Sequence, residues 1–171
     1  MGVSGVGKST VGSRLADALG WPFLEGDAVH PPANIAKMSV GIALTDDDRW
    51  RWLADLGAAI DDATASGAGV IVTCSALKHS YRDLLRHDRP AVRFVELAAD
   101  EAQLRARLRH RSGHFMPVQL LDSQLADWEP LHGDELADGC VRVNAGPGPA
   151  VVVQDIVKAL DGLAPDHDGS R

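Results

Sequence analysis

GVSGVGKST, residues 2–10, is the stretch that decides the fold of this chain. Gly2, Gly7, Lys8 and Ser9 satisfy the pattern G-x-x-x-x-G-K-[ST], and apolar residues then recur at four-residue spacing up to Gly20. Glycines are needed in such a stretch because backbone N–H groups must turn inward onto a phosphate. The sequence therefore predicts a phosphate-binding loop that leads directly into a helix.

Each residue of this stretch is a candidate ATP contact, namely Gly2, Val3, Ser4, Gly5, Val6, Gly7, Lys8, Ser9 and Thr10. Lys8 is expected to bridge the β- and γ-phosphates, and Ser9 to offer its hydroxyl to Mg²⁺. The positive end of the helix that follows favours an anion at the same place. The alternative, an accidental flexible glycine turn, does not account for the helix pattern.

Strand and helix patterns alternate along the rest of the chain. Apolar, β-branched runs predict strands at 21–27, 69–75, 91–97 and 139–144, and periodic segments predict helices at 53–60, 79–87, 100–111 and 151–160. This alternation is typical of an α/β fold with a parallel, doubly wound sheet flanked by helices. We expect a single P-loop NTPase domain over 1–163, and a disordered polar tail at 164–171.

The first strand is expected to be truncated. A phosphate loop ordinarily follows about five apolar strand residues, yet only Met1 precedes Gly2 here. The expectation is either a start codon assigned too late or a chain that has lost its central strand and is correspondingly unstable.

Composition limits the class of function. The formal net charge of −7 argues against a protein that binds nucleic acid without sequence preference. Cys74 and Cys140 form no CxxC pair and no signal peptide precedes them, so neither a disulfide framework nor a zinc site is expected. No apolar run approaches the roughly 18 residues of a membrane helix. These features favour a cytoplasmic enzyme that acts on small molecules and has no membrane or nucleic-acid partner.

Residues outside the loop distinguish among the classes of phosphate-loop protein. A GTPase would need an N-K-x-D base-reading motif, and the sequence contains none. Asp27 falls at the end of the second strand, when the truncated strand before the loop is counted as the first. Open α/β sheets bind ligands at that edge, and a carboxylate there could accept a hydroxyl proton. A surface carboxylate in a turn explains Asp27 equally well.

Several arginines are candidates for binding anions. Thr45 and the three aspartates after it form a helix start, in which Arg49 opposes the helix dipole; Arg49 is aimed at an anionic ligand or pairs with Asp46 or Asp48. Four further arginines crowd one short segment: Arg105, Arg107, Arg109 and Arg111. The helix dipole accounts for about two of them. Arg111, beside a possible glycine hinge, is the candidate catalytic cation.

Four longer motifs resemble the gluconokinase family of phosphate-loop carbohydrate kinases: GVSGVGKST, GDAVHPPANIAKMSVGIALTDDDRWRWL, CSALKHSYRDLLR and GHFMPVQLLDSQLADWEPL. The resemblance covers nearly the whole chain and implies phosphorylation of D-gluconate by ATP with Mg²⁺, in a homodimer. Lys8 and Ser9 would then serve ATP and magnesium, and Asp27 would lie beside the sugar-acid hydroxyl. Arg111 would close with a small helical lid at about 112–130.

The resemblance also suggests how the substrate is held. Arg49 and Arg82 are candidate partners of its carboxylate, because an arginine fork suits that planar group; an exposed helix charge explains Arg82 equally well. His114 is a further substrate-binding candidate, although a lone histidine is more often structural. Ser75 stands where many phosphate-loop enzymes place an aspartate behind magnesium, which leaves the second metal contact open. The alternatives are another small-molecule kinase of the shikimate-kinase type, or a catalytically impaired nucleotide-binding relative.

Overall fold

The computed structural model describes residues 1–109 and 119–161, and the side chains of 1–109 and 120–160. Within that part the strands are β1 (Phe23–Glu25), β2 (Ile71–Thr73), β3 (Val95–Ala98) and β4 (Val141–Asn144). The helices are α1 (Lys8–Leu19), α2 (Pro32–Ser39), α3 (Asp46–Thr64), α4 (His79–Arg86), α5 (Glu101–Arg109), α6 (Gln119–Ala126), α7 (Gly133–Ala137) and α8 (Pro149–Asp161). A short 3₁₀ helix, Gly26–Val29, follows β1. The predicted alternation of strands and helices is confirmed.

The helix boundaries follow from local chemistry. Helix α1 begins directly after the glycine loop and ends at Gly20, as the apolar spacing predicts. Helix α3 starts with a capping box: the Asp48 N–H donates to the Thr45 hydroxyl at 3.3 Å, and the Thr45 N–H donates to the Asp48 carboxylate at 2.9 Å. The predicted helix start at Thr45 is therefore confirmed, and the bond from the Thr45 N–H to the Asp48 carboxylate adds to it.

The strands pair in parallel, but as two separate pairs. β1 pairs with β2, and β3 pairs with β4. Two long-range clusters of buried apolar side chains pack against these pairs. One joins α1 and α8 to β3 and β4, and the other joins α3 and α4 to β2. The expected parallel sheet is therefore present in two halves.

Residues 1 and 2 lie between the two halves. The Met1 amino group donates to the Val95 carbonyl at 2.5 Å, and the Leu97 N–H donates to the Met1 carbonyl at 3.0 Å. On the other side the Gly2 N–H donates to the Ser75 carbonyl at 3.2 Å. These hydrogen bonds connect the end of β2 to the middle of β3, and they hold the start of the phosphate loop between the two strands.

The remaining sequence expectations concern cysteines and membranes. Cys74 and Cys140 are both buried free thiols. Among the described helices, none is long and apolar enough to cross a bilayer.

Candidate active site

The predicted phosphate loop is a tight turn whose geometry depends on glycine. Gly7 has φ 106°, in the left-handed region that favours glycine, and it immediately precedes the first turn of α1. Gly2 has φ 139°, and a Cβ there would lie 2.9 Å from the Leu97 carbonyl oxygen. Val3, Ser4 and Val6 are buried on the inner side of the loop. A side chain at Gly2 would therefore clash with β3, whereas one at Gly7 would strain the backbone without meeting a neighbour.

The loop's polar groups face the start of α1. The Lys8 ammonium donates to the Val3 carbonyl at 3.3 Å, so the lysine folds back over the loop. Ser9 lies half-buried in the first turn and Thr10 is exposed there. Among the described residues no other side chain is hydrogen bonded to the Ser9 hydroxyl, and none of them forms a cluster of three or more metal-ligating side chains. A hydroxyl at a helix start suits one ligand position of Mg²⁺ bound to phosphates.

Arg107 supports the loop from α5. Its guanidinium donates to the Val6 carbonyl at 3.2 Å and to the Ala145 carbonyl at 2.8 Å, which ties the loop to the end of β4. Arg105, two residues earlier, instead pairs with Glu101 and Asp122 at the surface. Sequence reasoning noticed the arginine cluster but assigned its functional role to Arg111, which lies outside the described residues, as does His114.

A pocket opens beside the loop, at the ends of β1 and β2. Its lining includes Asp27, His30, Arg49, Trp52 and Ser75. Three residues of α6 also line it, namely Leu120, Ser123 and Gln124. Its volume is about 40 Å³, well below the ~150 Å³ of a cavity that binds one benzene molecule. The structure therefore brings Asp27 and Arg49 to one pocket, with α6 closed over it.

The turn that carries Asp27 is fixed by Trp52. The Trp52 indole N–H donates to the Gly26 carbonyl at 2.9 Å, directly before Asp27. Gly26 packs against β2 so closely that an added Cβ would lie 2.1 Å from the Thr73 carbonyl oxygen. The glycine of the Gly-Asp pair is therefore needed for the turn, and the turn aims the aspartate into the pocket.

His30 is a pocket residue that the sequence did not single out. Its ring stacks on Trp52 with centroids 4.1 Å apart and planes 15° apart, and it is 8% exposed. Burial lowers the pKa of His30 to about 4, although Asp27 opposes the shift. The imidazole is thus neutral at pH 7 and can both donate and accept a hydrogen bond. Its position three residues after Asp27 was the only local signal.

Arg49 is buried at the pocket, and both of its hydrogen bonds to described residues are made by one guanidinium nitrogen, Nη1. Nη1 donates to the Tyr81 hydroxyl at 2.9 Å and to Asp127 at 2.8 Å. Burial alone would lower the pKa of Arg49, but these two hydrogen bonds outweigh it and raise the pKa. No described residue accepts a hydrogen bond from Nε or Nη2. Two donors of a fixed fork are left for an anion.

Arg82 differs from its expected role. It is 0% exposed and does not line the pocket. Nε and Nη2 donate to the carboxylate of Glu135 at 2.5 and 2.9 Å, and Nη1 donates to the Glu129 carbonyl at 2.9 Å. The arginine fork does hold a carboxylate, but one supplied by the protein itself. The prediction that Arg82 binds a substrate carboxylate is therefore corrected, and the alternative of an exposed charge is equally wrong.

Known proteins share the sequence and the fold of this chain. A protein-family profile described as an AAA domain matches residues 1–131. The gluconokinase of Gluconobacter oxydans (strain 621H) is 48% identical over 158 residues, 92% of this chain and 87% of that protein. A crystal structure of a gluconokinase from Sinorhizobium meliloti 1021 has a TM-score of 0.84 and 50% identity over 96% of this chain and 90% of that chain.

This chain belongs to the gluconokinase family. An unliganded sugar kinase from Janibacter sp. HTCC2649 has the same fold, with a TM-score of 0.87 and 43% identity over 94% of this chain and 91% of that one. The predicted P-loop fold and the resemblance read from the four motifs are both confirmed. As a family member, the chain is a kinase, and the pocket lined by Asp27 and Arg49 adjoins the loop where the Ser4 N–H donates to the Gln124 side chain at 2.7 Å.

The support from Arg107 predicts a specific loss of nucleotide binding. Replacing Arg107 by Ala removes two charged hydrogen bonds to the loop and to the end of β4, each worth about 1.5–3 kcal/mol. We expect ATP affinity, measured by calorimetric titration, to fall at least about tenfold because the loop loses its fixed shape.

Arg105→Ala is the matched control, because it removes an arginine from the same helix without touching the loop. Its ATP affinity should stay within about twofold of the original chain. Similar losses for both variants would show that general positive charge, not the contact to the Val6 carbonyl, is what matters.

Proposed function

We propose that the chain transfers the γ-phosphoryl group of ATP to D-gluconate, giving 6-phospho-D-gluconate and ADP. The observation that carries the proposal is the juxtaposition, in a gluconokinase-family fold, of a phosphate loop with a pocket that holds both Asp27 and the half-occupied guanidinium of Arg49. A carboxylate and an arginine fork in one pocket match an acceptor that has a hydroxyl to activate and a carboxylate to bind.

The nucleotide side depends on charge that is fixed before the reaction. Backbone N–H groups at the turn into α1 would bind the phosphates, and Lys8 would move from the Val3 carbonyl to the β- and γ-phosphates. Mg²⁺, held in part by Ser9, would neutralise charge on the phosphate oxygens. These groups stabilise the negative charge that develops as the bond to the leaving ADP oxygen breaks.

On the acceptor side, Asp27 orients the attacking hydroxyl. The hydroxyl oxygen forms the new bond to the γ-phosphorus, the bond from that phosphorus to the β–γ bridging oxygen breaks, and the hydroxyl proton passes to the Asp27 carboxylate. Arg49 binds the carboxylate of the sugar acid through Nε and Nη2. Neutral His30, held against Trp52, serves as a hydrogen-bonding wall for the sugar hydroxyls.

Access to the pocket requires movement of α6. A pocket of about 40 Å³ does not hold a six-carbon sugar acid, and α6 supplies one of its walls. We propose that α6 belongs to the lid at about 112–130, that it opens for substrate, and that Arg111 and His114 join the site when it closes. The assembly is proposed to be a cytoplasmic homodimer with no membrane or nucleic-acid partner.

A coupled assay of ADP release tests the function. D-Gluconate should support turnover, whereas other aldonates, shikimate and nucleoside monophosphates should give a kcat/KM at least about a hundredfold lower. Binding of ATP with no gluconate-dependent turnover would instead identify a nucleotide-binding relative without acceptor chemistry.

Lys8→Ala provides the matched control for that assay. Its turnover with gluconate should fall at least about a hundredfold, because the charge developing on the transferred group loses a fixed partner. Activity close to that of the original chain would show that the measured ADP release does not come from this phosphate loop.

The position of Arg49 in the pocket predicts that its substitution weakens binding of the acceptor substrate alone. Arg49→Lys keeps the positive charge but loses the fork, so KM for gluconate should rise about ten- to a hundredfold while KM for ATP changes little. Steady-state kinetics with each substrate varied in turn measures the split.

Arg51→Ala is the comparison for Arg49, because Arg51 lies two residues along α3 with a side chain that is 82% exposed. It should leave both KM values within about twofold. A rise in KM for ATP equal to that for gluconate in Arg49→Lys would place Arg49 on the nucleotide side and overturn its assignment.

A further inference from the structure

Asn34 is a buried polar residue of α2 that the proposed reaction does not use. It is 4% exposed, and its side-chain nitrogen Nδ2 donates to the Asp48 carbonyl at 2.8 Å. The same nitrogen lies 3.5 Å from Nδ1 of His30, whose ring lines the pocket. One amide nitrogen therefore joins the backbone of α3 to the imidazole of the pocket.

These two contacts determine which ring nitrogen of His30 carries the proton. A backbone carbonyl only accepts, so the atom of Asn34 that faces the Asp48 carbonyl is the amide nitrogen and not the amide oxygen. An amide NH₂ group cannot accept, so Nδ1 of His30 is the acceptor in the second contact. In a neutral imidazole the proton then lies on the other nitrogen, Nε2.

The surroundings of His30 favour the neutral ring. Trp52 covers one face of the ring with centroids 4.1 Å apart, and burial lowers the pKa of His30 to about 4. The Asp27 carboxylate opposes this shift in pKa, and the Arg49 guanidinium on α3 adds to it. The ring therefore has one proton at neutral pH, and the contact with Asn34 leaves that proton on Nε2.

Nε2 of His30 opens onto the pocket. Among the described residues, none accepts a hydrogen bond from this nitrogen. No buried side-chain nitrogen or oxygen in that part of the chain lacks a partner, so Nε2 is reached by solvent on the side where the ring lines the pocket. The pocket thus presents an N–H donor on His30 together with an acceptor, the Asp27 carboxylate.

We propose that Asn34 is a positioning residue for the acceptor substrate: it holds His30 in the tautomer whose Nε2–H donates to an oxygen of the sugar acid. This rests on the proposed function and deepens it, because it assigns a direction to that hydrogen bond. The reacting hydroxyl gives its proton to Asp27, and another oxygen of the same molecule accepts from His30. An unprotonated Nε2 would instead compete with Asp27 for the hydroxyl proton.

Nuclear magnetic resonance of the original chain, prepared with isotope-labelled histidine, reads the tautomer without catalysis. The His30 signals are identified by nuclear Overhauser contacts between its ring and the Trp52 indole. Without substrate, Nε2 should carry a proton and Nδ1 none, and added D-gluconate should shift the Nε2 proton signal. A proton on Nδ1, an average of both tautomers like that of a free imidazole, or no shift with gluconate would overturn the proposal.

Asn34→Asp and its matched control Asn34→Leu separate the tautomer from packing. Both remove the donor to the Asp48 carbonyl, but only the aspartate carboxylate accepts a proton from Nδ1 and so reverses the tautomer. The assay is run at about pH 8, above the ordinary range of histidine. Asn34→Asp should raise KM for gluconate at least about tenfold over Asn34→Leu, whereas KM for ATP should stay within about twofold in both.

The outcomes distinguish this proposal from the proposed function. An equal KM for gluconate in the two variants would show that Asn34 acts through packing alone, and the positioning role would be overturned. Absence of gluconate turnover in the original chain is a different result, because it overturns the proposed function. In that case the spectrum of the original chain still decides whether Asn34 fixes the tautomer of His30.

Discussion

The three backbone hydrogen bonds made by Met1 and Gly2 are the constraint on which the rest of the site depends. They fasten the start of the phosphate loop to β3 on one side and to the end of β2 on the other. The loop then has only six residues in which to turn back into α1, and the left-handed backbone at Gly7 makes this turn possible. Because these bonds involve backbone atoms, they fix the position of the loop without specifying which side chains stand there.

The pocket depends on a second set of contacts, made by side chains from distant segments. Arg49 of α3 meets Tyr81 of α4 and Asp127 after α6 through a single nitrogen. Tyr81 in turn donates to Asp46 at 2.5 Å, and Lys78 pairs with the same carboxylate. This network orients the Arg49 fork, and since Asp127 follows α6 it also couples the fork to the helix that covers the pocket.

Prediction from the sequence succeeded where the signal was local. The glycine spacing identified the loop, Thr45 identified the start of α3, and the strand end before Asp27 indicated the edge of the sheet where the structure has a pocket. It failed for Arg82, because an arginine on a short amphipathic helix gives no sign that Glu135, 53 residues later, will bury and pair with it. Arg107 was passed over for a similar reason: its partners are backbone carbonyls, which leave no pattern in the sequence.

The sequence by itself determined the fold class and the position of the loop, because glycine spacing, strand periodicity and helix caps act over a few residues, and its four longer motifs carried the resemblance to the family. Only the tertiary structure decided which charged residues face the pocket and which form internal ion pairs and hydrogen bonds, since burial and pairing join segments far apart in the chain.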